Sequence, residues 1–435
     1  MEYLPNIVFA IALILGVGYF VRNVKKLIRN IKLGQDVDVS DNKSQRWKNM
    51  INIALGQSKM VRRPISGVLH VIVYLGFIII NIEVLEIIID GLLGTHRVFS
   101  GMGSFYGFLI GSFEILAVLV FISVIVFWIR RNVIKLKRFL SAEMTGWPKN
   151  DGNFILYFEM VLMTLFLVMN ATDAPFQAMD NGNIISQYIA PWFSGLSEGT
   201  LHLIERGAWW MHILGILVFL NYLYFSKHLH ILLAFPNTYY GSLTPKGKVN
   251  NLESVTNEVK LMMDPNADPF AAPTEGAEDE TPAKFGASDV QDLNWVQLLN
   301  AYTCTECGRC TSSCPANLTG KKLSPRKIMM DTRDRLEEVG KNIDANGGEF
   351  KDDGKQLLGD YITHEELWAC TTCNACVEEC PVSINPLSII LDMRRYLVME
   401  QSAAPMELNN MMTNIENNGA PWPYNQMDRL NWKDE

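Results

Sequence analysis

Cys304-Thr305-Glu306-Cys307-Gly308-Arg309-Cys310-Thr311-Ser312-Ser313-Cys314-Pro315 and Cys370-Thr371-Thr372-Cys373-Asn374-Ala375-Cys376-Val377-Glu378-Glu379-Cys380-Pro381 are two copies of one spacing, and together they hold all eight cysteines of the chain. In the pattern Cys-x2-Cys-x2-Cys-x3-Cys-Pro, three thiolates from one tight loop cap a [4Fe-4S] cluster, while the fourth, followed by a chain-turning proline, reaches across to a second cluster. Cys304, Cys307 and Cys310 are therefore expected to be completed by Cys380, and Cys370, Cys373 and Cys376 by Cys314. Paired Cys-x2-Cys motifs also build zinc sites, but these rarely need a third thiolate two residues on and a proline after the fourth, in duplicate. No cysteine is left over for a nucleophile. Such clusters are assembled, and thiolates kept reduced, in the cytoplasm, which fixes the side of any membrane on which this region lies.

Upstream of the cysteines the chain is apolar. Five stretches, about 4–21, 65–89, 104–128, 153–172 and 203–226, are long enough to cross a hydrocarbon core, which is roughly 30 Å thick and takes about 20 helical residues. Basic residues crowd alternate connections: Arg22, Lys25, Lys26, Arg29, Lys32, Lys43, Arg46, Lys48, Lys59, Arg62 and Arg63 after the first stretch, and Arg130, Arg131, Lys135, Lys137 and Arg138 after the third. The opposite connections hold only Arg97 between the second and third stretches, and neither Lys nor Arg from Asp173 to Leu203. The positive-inside rule then predicts a multi-pass protein of the cytoplasmic (inner) membrane with its N-terminus outside and its cysteines in the cytoplasm. Glu2 before the first apolar run, with the basic cluster after it, predicts a retained anchor and not a cleaved leader. The net charge of -8 sums basic membrane loops with an acidic soluble part, and nothing points to nucleic acid. A stretch from about 250 to 290, with Asp264-Pro265, Asp268-Pro269, Pro273 and the acidic Glu275 to Glu280 run, reads as a solvated linker.

Histidines carry the second piece of chemistry. His70 lies near the cytoplasmic start of the second stretch, His212 inside the fifth, and His228 and His230 at its cytoplasmic exit. Ionisable side chains within a span are rare and usually functional, and neutral imidazole is the usual axial ligand of a haem. On one continuous helix His212 and His230, 18 residues apart, share a face but stand about 27 Å apart along the axis, so they cannot hold one haem. His70 matches the depth of His230, and the pair are candidate ligands of an inner haem b. An outer haem on His212 would need a partner about ten residues beyond His70, where Ile80 stands. One or two haems remain open. His228, two residues from His230, is expected to face away and is the substitute ligand. His96, His202 and His364 are assigned no cofactor.

Cys304-Thr305-Glu306-Cys307-Gly308-Arg309-Cys310, Cys314-Pro315-Ala316, Thr319-Gly320-Lys321 and Leu323-Ser324-Pro325, followed by Leu367-Trp368-Ala369-Cys370, Glu378-Glu379-Cys380-Pro381-Val382 and Met393-Arg394-Arg395-Tyr396-Leu397, resemble the iron-sulfur module of heterodisulfide reductase-related and anaerobic glycerol-3-phosphate dehydrogenase-type proteins over about 100 residues. The N-terminal half, with its five spans, the His212 to His230 interval and Phe225-Ser226-Lys227 before Leu229-His230-Ile231, is similar to the haem-b subunit of respiratory nitrate reductase and its relatives. That family pattern has two histidines on the second span, and only His70 stands there.

The 55 residues between Cys314 and Cys370 carry helical patterns, including an amphipathic run from Ser324 to Glu338 with Pro325 in its first turn. The expected fold is mainly α: a five-helix transmembrane haem b domain (1–235), a linker (236–290), an α-helical ferredoxin domain (291–400) and a C-terminal tail (401–435) suited to partner docking. No dinucleotide fingerprint or phosphate-binding loop is found. Asn417-Asn418-Gly419-Ala420-Pro421-Trp422, with Arg429 and Trp432, resembles the linker that in fused relatives precedes a Cys-Cys-Gly-type catalytic domain, which implies a separate cytoplasmic oxidoreductase partner. The expected function is electron transfer between membrane quinone and that partner; a membrane redox sensor is the alternative. Glu83, Glu86, Glu159, Glu205 and Arg206 are candidates, by position, for proton exchange with quinone.

Overall fold

Apolar length decides the N-terminal half. In the computed structural model, which describes residues 3–179, 181–265 and 284–434, the chain forms α1 (Leu4–Ile31), α2 (Lys43–Met50), α3 (Pro64–Leu93), α4 (Ser104–Asn132), α5 (Trp147–Thr172) and α6 (Glu198–Tyr222). All but the short, polar α2 are long and apolar enough to cross a membrane, five helices as expected, and the chain reads as a multi-pass membrane protein. Proline stands in the first turn of α3 and α5, where its missing N–H costs nothing. The helices pack in sequence, α3 on α4, α4 on α5 and α5 on α6, with α1 against α3 and α6. Ile14, Leu15, Val68, Phe108 and Val218 are left exposed on the outside of the bundle, where lipid would cover them. At the α1–α3 crossing a Cβ on Gly91 would come within 2.7 Å of the Phe9 ring, so only glycine lets that ring lie on the backbone of α3.

The fifth span departs from the expected continuous helix. After α6 come a tight turn over Leu223–Phe225, an extended Ser226 (φ -116, ψ 146), a second turn over Lys227–Leu229, and only then α7 (His230–Tyr239). Ser226 Oγ accepts the His228 N–H at 3.1 Å, and Asp151 accepts the Lys227 N–H at 3.1 Å, so side chains replace the interrupted helical bonds. The straight-helix spacing between His212 and His230 therefore does not apply.

The soluble part is helical too, with no strand among the described residues: α8 (Glu253–Met263), α9 (Trp295–Thr303), α10 (Pro325–Ala345), α11 (Pro386–Met399) and α12 (Met406–Asn418). Ser324 caps α10 by accepting the Lys327 N–H at 3.3 Å, as the sequence pattern predicts. Leu298, Ile328, Leu336, Val339, Leu357, Ile389, Met393 and Leu397 form the core between α9, α10 and α11. Part of the expected linker is structured: residues 253–263 are helical, and Ala287 and Val290 are fully buried in this core. Asp268-Pro269, Pro273 and the Glu275 to Glu280 run lie outside the described residues.

The two halves are clamped together by basic residues that follow the first apolar helix. Lys26 and Arg29, at the end of α1, pair with Asp344 of α10; Arg62 pairs with Glu378, and Arg63 with Glu379 at 2.8 Å. Asn30 Nδ2 donates to the Tyr302 hydroxyl at 2.9 Å. Gln35 exchanges backbone bonds with Leu293 (2.8 Å) and Trp295 (3.1 Å).

Within the soluble core, Arg335 has no exposed side-chain surface and bridges Asp289 (2.8 Å), Asp353 (2.6 Å) and the Lys355 carbonyl (2.8 Å). Arg335→Ala leaves two carboxylates facing each other and is expected to cost about 2–3 kcal/mol, somewhat less than for a fully buried pair because both acids keep some solvent. Denaturant unfolding followed by circular dichroism measures it; a loss below about 0.5 kcal/mol, as for an ordinary surface substitution, would refute the buried-clamp account.

Candidate metal centres

The two cysteine loops share a backbone trace. Glu306 and Thr372, each two residues after the first cysteine, have φ of 53° and 55°; Gly308 and Asn374, two further on, have φ of 70° and 59°. These left-handed residues fold each loop tightly, and glycine and asparagine adopt that conformation at least cost. Each loop then closes in a short helical turn, Arg309–Ser312 or Ala375–Glu379.

The fourth cysteine of the second loop stands beside the first loop. Cys304, Cys307, Cys310 and Cys380 line one cavity, which Cys376 also touches. Cys314 and Cys373 lie close enough to Cys370 and Cys376 to raise their thiol pKa values. Burial first, then mutual repulsion, pushes Cys376 up to about 12; burial pushes Cys304 up to about 12 and Cys380 up to about 11, with Cys307 repelling each. Thiols gathered this closely cannot ionise together unless a cationic centre stands among them. Backbone N–H groups already point at sulfur: Thr372 N to Cys370 Sγ at 3.4 Å and Ile384 N to Cys380 Sγ at 3.3 Å. This donor set fits four-iron clusters.

The first loop sits on the histidine end of the bundle. Glu306, buried, accepts Arg333 Nη1 at 2.8 Å and pairs with Lys227. Arg309, also buried, donates to the carbonyls of Lys59 and Met60 at 3.1 Å each. Lys59 Nζ reaches the Cys380 carbonyl at 3.3 Å.

Beyond that junction the rings of His70 and His230 stand with centroids 6.4 Å apart, tilted by 41°. His230 Nδ1 donates to the Lys227 carbonyl at 3.1 Å, which leaves Nε2 as the free nitrogen, and His70 Nδ1 is buried without a partner among the described residues. His228 does not face away as expected. The break at Ser226 turns it inward, 5.4 Å from the His230 ring and 5.4 Å from Phe219, and burial followed by repulsion from His230 and His70 holds its pKa down to about 3. His212 is apart: its Nδ1 donates to the Leu162 carbonyl at 3.1 Å and its ring packs on Phe166 at 6.2 Å.

At the opposite end of the bundle, Glu83, Glu86, Glu205 and Arg206 meet in one small cavity, while Glu159 does not line it. Sequence reasoning missed the centre of this group. Arg97 binds Asp173 (2.7 Å), Asn170 (2.9 Å) and Tyr106 (3.2 Å), and His96 lies 3.2 Å from Asp173. The signal was present: Arg97 is the one basic residue in its connection. His96, Asp173 and Glu205 could surround a cation, but Arg97 and Arg206 already neutralise the two carboxylates.

Residues 303–384 match the family model described as a 4Fe-4S dicluster domain. The chain is similar to a probable iron-sulfur-binding oxidoreductase, FadF, of Bacillus subtilis (30% identical, covering 99% of this chain and 61% of the relative). It is also similar to an EtfAB:quinone oxidoreductase of Syntrophomonas wolfei (26%, covering 92% and 55%). Over 25% of its length it resembles one component of a ferredoxin/F(420)H(2)-dependent CoB-CoM heterodisulfide reductase of Methanosarcina acetivorans (37%, covering 52% of that component). The chain thus spans 61% and 55% of the length of the first two relatives. No solved structure matches it. Its homologues are iron-sulfur oxidoreductases, as the cysteine pattern predicted.

The thiol grouping makes a specific expectation for paired substitutions. Cys307→Ser with Cys380→Ser strikes one group, so the double variant should lose about four irons, no more than either single variant; Cys307→Ser with Cys373→Ser strikes both and should lose about eight. Iron and acid-labile sulfide analysis of the purified chain decides, and loss of all iron in the first pair would refute the exchange.

Proposed function

We propose that this chain is the membrane-anchored electron-transfer subunit of an iron-sulfur oxidoreductase, working between a quinone pool and a cytoplasmic oxidoreductase partner. In this reading Cys304, Cys307, Cys310 and Cys380 hold one [4Fe-4S] cluster, Cys370, Cys373, Cys376 and Cys314 hold the other, and His70 and His230 hold a haem b. When bound, each of these groups takes up and releases single electrons.

One observation carries the reading: the same residues tie the first cysteine loop to the histidines. Lys227 offers its carbonyl to His230 Nδ1 and its ammonium to Glu306 within the loop. Arg309, beside Cys310, grips the backbone just ahead of α3, and its charge reaches His70. The ring separation also fits. Two imidazoles sharing one metal through bonds of about 2 Å have centroids roughly 6 Å apart, and those of His70 and His230 are 6.4 Å apart. One haem is assigned, since among the described residues no second histidine ring packs against His212.

Quinone chemistry moves protons with electrons. Glu83, Glu86, Glu205 and Arg206, joined in one cavity by Arg97 and Asp173, are assigned to proton exchange at the outer end. A relative whose name joins EtfAB to quinone supports such a pair of redox partners. The division of the sequence reading, 1–235 for the membrane part and 291–400 for the ferredoxin part, is kept with two adjustments: α7 goes whole with the membrane part, to Tyr239, and the ferredoxin part starts before Ala287. The basic loops support a cytoplasmic ferredoxin domain and an N-terminus outside. The exposed Met411, Met412, Ile415, Trp422 and Trp432 of the tail suit docking of a Cys-Cys-Gly-type or other oxidoreductase.

The test is the visible spectrum of anaerobically purified chain with iron and haem quantified, before and after a menaquinol analogue. About eight non-haem irons and one haem b, reduced by quinol, are expected. His70→Ala and His230→Ala should lose the haem and keep the iron, and His212→Ala should keep both. Full iron content without haem in the wild type would overturn the quinone-linked reading.

A further inference from the structure

The cytoplasmic rim of the bundle carries a cavity of about 400 Å3 between the start of α3 and the segment after α4, lined by Arg63, Pro64, Ile65, Arg130, Lys137 and Arg138 among others. No carboxylate lines it. Arg63 is engaged by Glu379 at 2.8 Å, and Arg138 faces the charge of Cys307 in the first loop, but among the described residues Arg130 and Lys137 have no ion-pair partner. Arg138 is half-buried, and its Nε is wholly enclosed without a hydrogen-bond partner among the described residues. The loop that bears it is pinned: Arg326 Nη1 donates to the Arg138 carbonyl at 2.7 Å, and Arg326 Nη2 reaches Glu143 at 2.7 Å. Cations held together by backbone restraint, without acids between them, repel one another and call for an anion.

Position selects the kind of anion. The cavity opens where two spans end; exposed Ile65 lines it, and Val133, Ile134 and Leu140, also exposed, flank in sequence the Leu136 to Arg138 segment that forms its wall. A soluble phosphate would leave these side chains in water, whereas a lipid would cover them with acyl chain while its phosphate met the cations. Basic pockets between spans on the cytoplasmic side are suited to such headgroups.

We propose that this cavity binds the phosphate headgroup of an anionic phospholipid from the cytoplasmic leaflet. Its far wall includes Ser312, in the turn between Cys310 and Cys314, so the bound lipid also touches the ferredoxin domain and helps to seat it on the membrane. The inference uses the membrane placement of this rim and nothing of the haem or the quinone.

The experiment is native mass spectrometry of the full chain in detergent, with phosphatidylglycerol, phosphatidylcholine or inorganic phosphate added, for wild type and for Arg130→Gln and Lys137→Gln. Removing either cation is expected to weaken phosphatidylglycerol retention roughly fivefold, with phosphatidylcholine unaffected, and with iron content and circular dichroism unchanged so that misfolding is seen if it occurs. Phosphatidylglycerol retained equally by both variants would overturn the site. Displacement of phosphatidylglycerol by equimolar inorganic phosphate would make it a free-phosphate site and overturn the lipid.

Discussion

Crowding of buried sulfur is the constraint on which the rest depends. Four thiols brought into one enclosed space are driven toward their neutral form by burial and by one another, and they can act together as thiolates only around a strongly cationic inorganic core. That requirement explains the left-handed residues that curl each loop, the N–H groups aimed at sulfur, and the ring of cations, Lys59, Arg309 and Arg394, held close to the cysteines.

Charge holds the junction. Basic residues after the first span clamp Asp344, Glu378 and Glu379 of the ferredoxin part. Exposed ion pairs of this kind are each worth little, so the clamp owes its definition to number and to the buried members, Glu306 and Arg309.

Much of this was legible in the sequence, for reasons that can be named. Apolar run length identified the five spans, and cysteine spacing identified the 4Fe-4S dicluster domain, because both signals are local and periodic. The break after α6 was not legible: no proline or glycine stands between Leu223 and Leu229, and only the tertiary acceptor Asp151 and the cap at Ser226 interrupt the helix. His228 was misplaced for that reason alone. The Arg97 network was missed because Glu86 of α3, Tyr106 of α4 and the end of α5 at Asn170 and Asp173 are far apart in sequence and meet only in the fold.

The position of Cys380 beside the first loop has a consequence for biosynthesis. Cys380 stands with the first loop, so that group of thiols is incomplete until the chain has been made past residue 380. By then every apolar helix has already emerged from the ribosome and can have entered the bilayer. Chains fold from the N-terminus as they are synthesised, and here the order places membrane insertion ahead of cluster completion, so the sulfur ligands assemble on a platform that is already anchored.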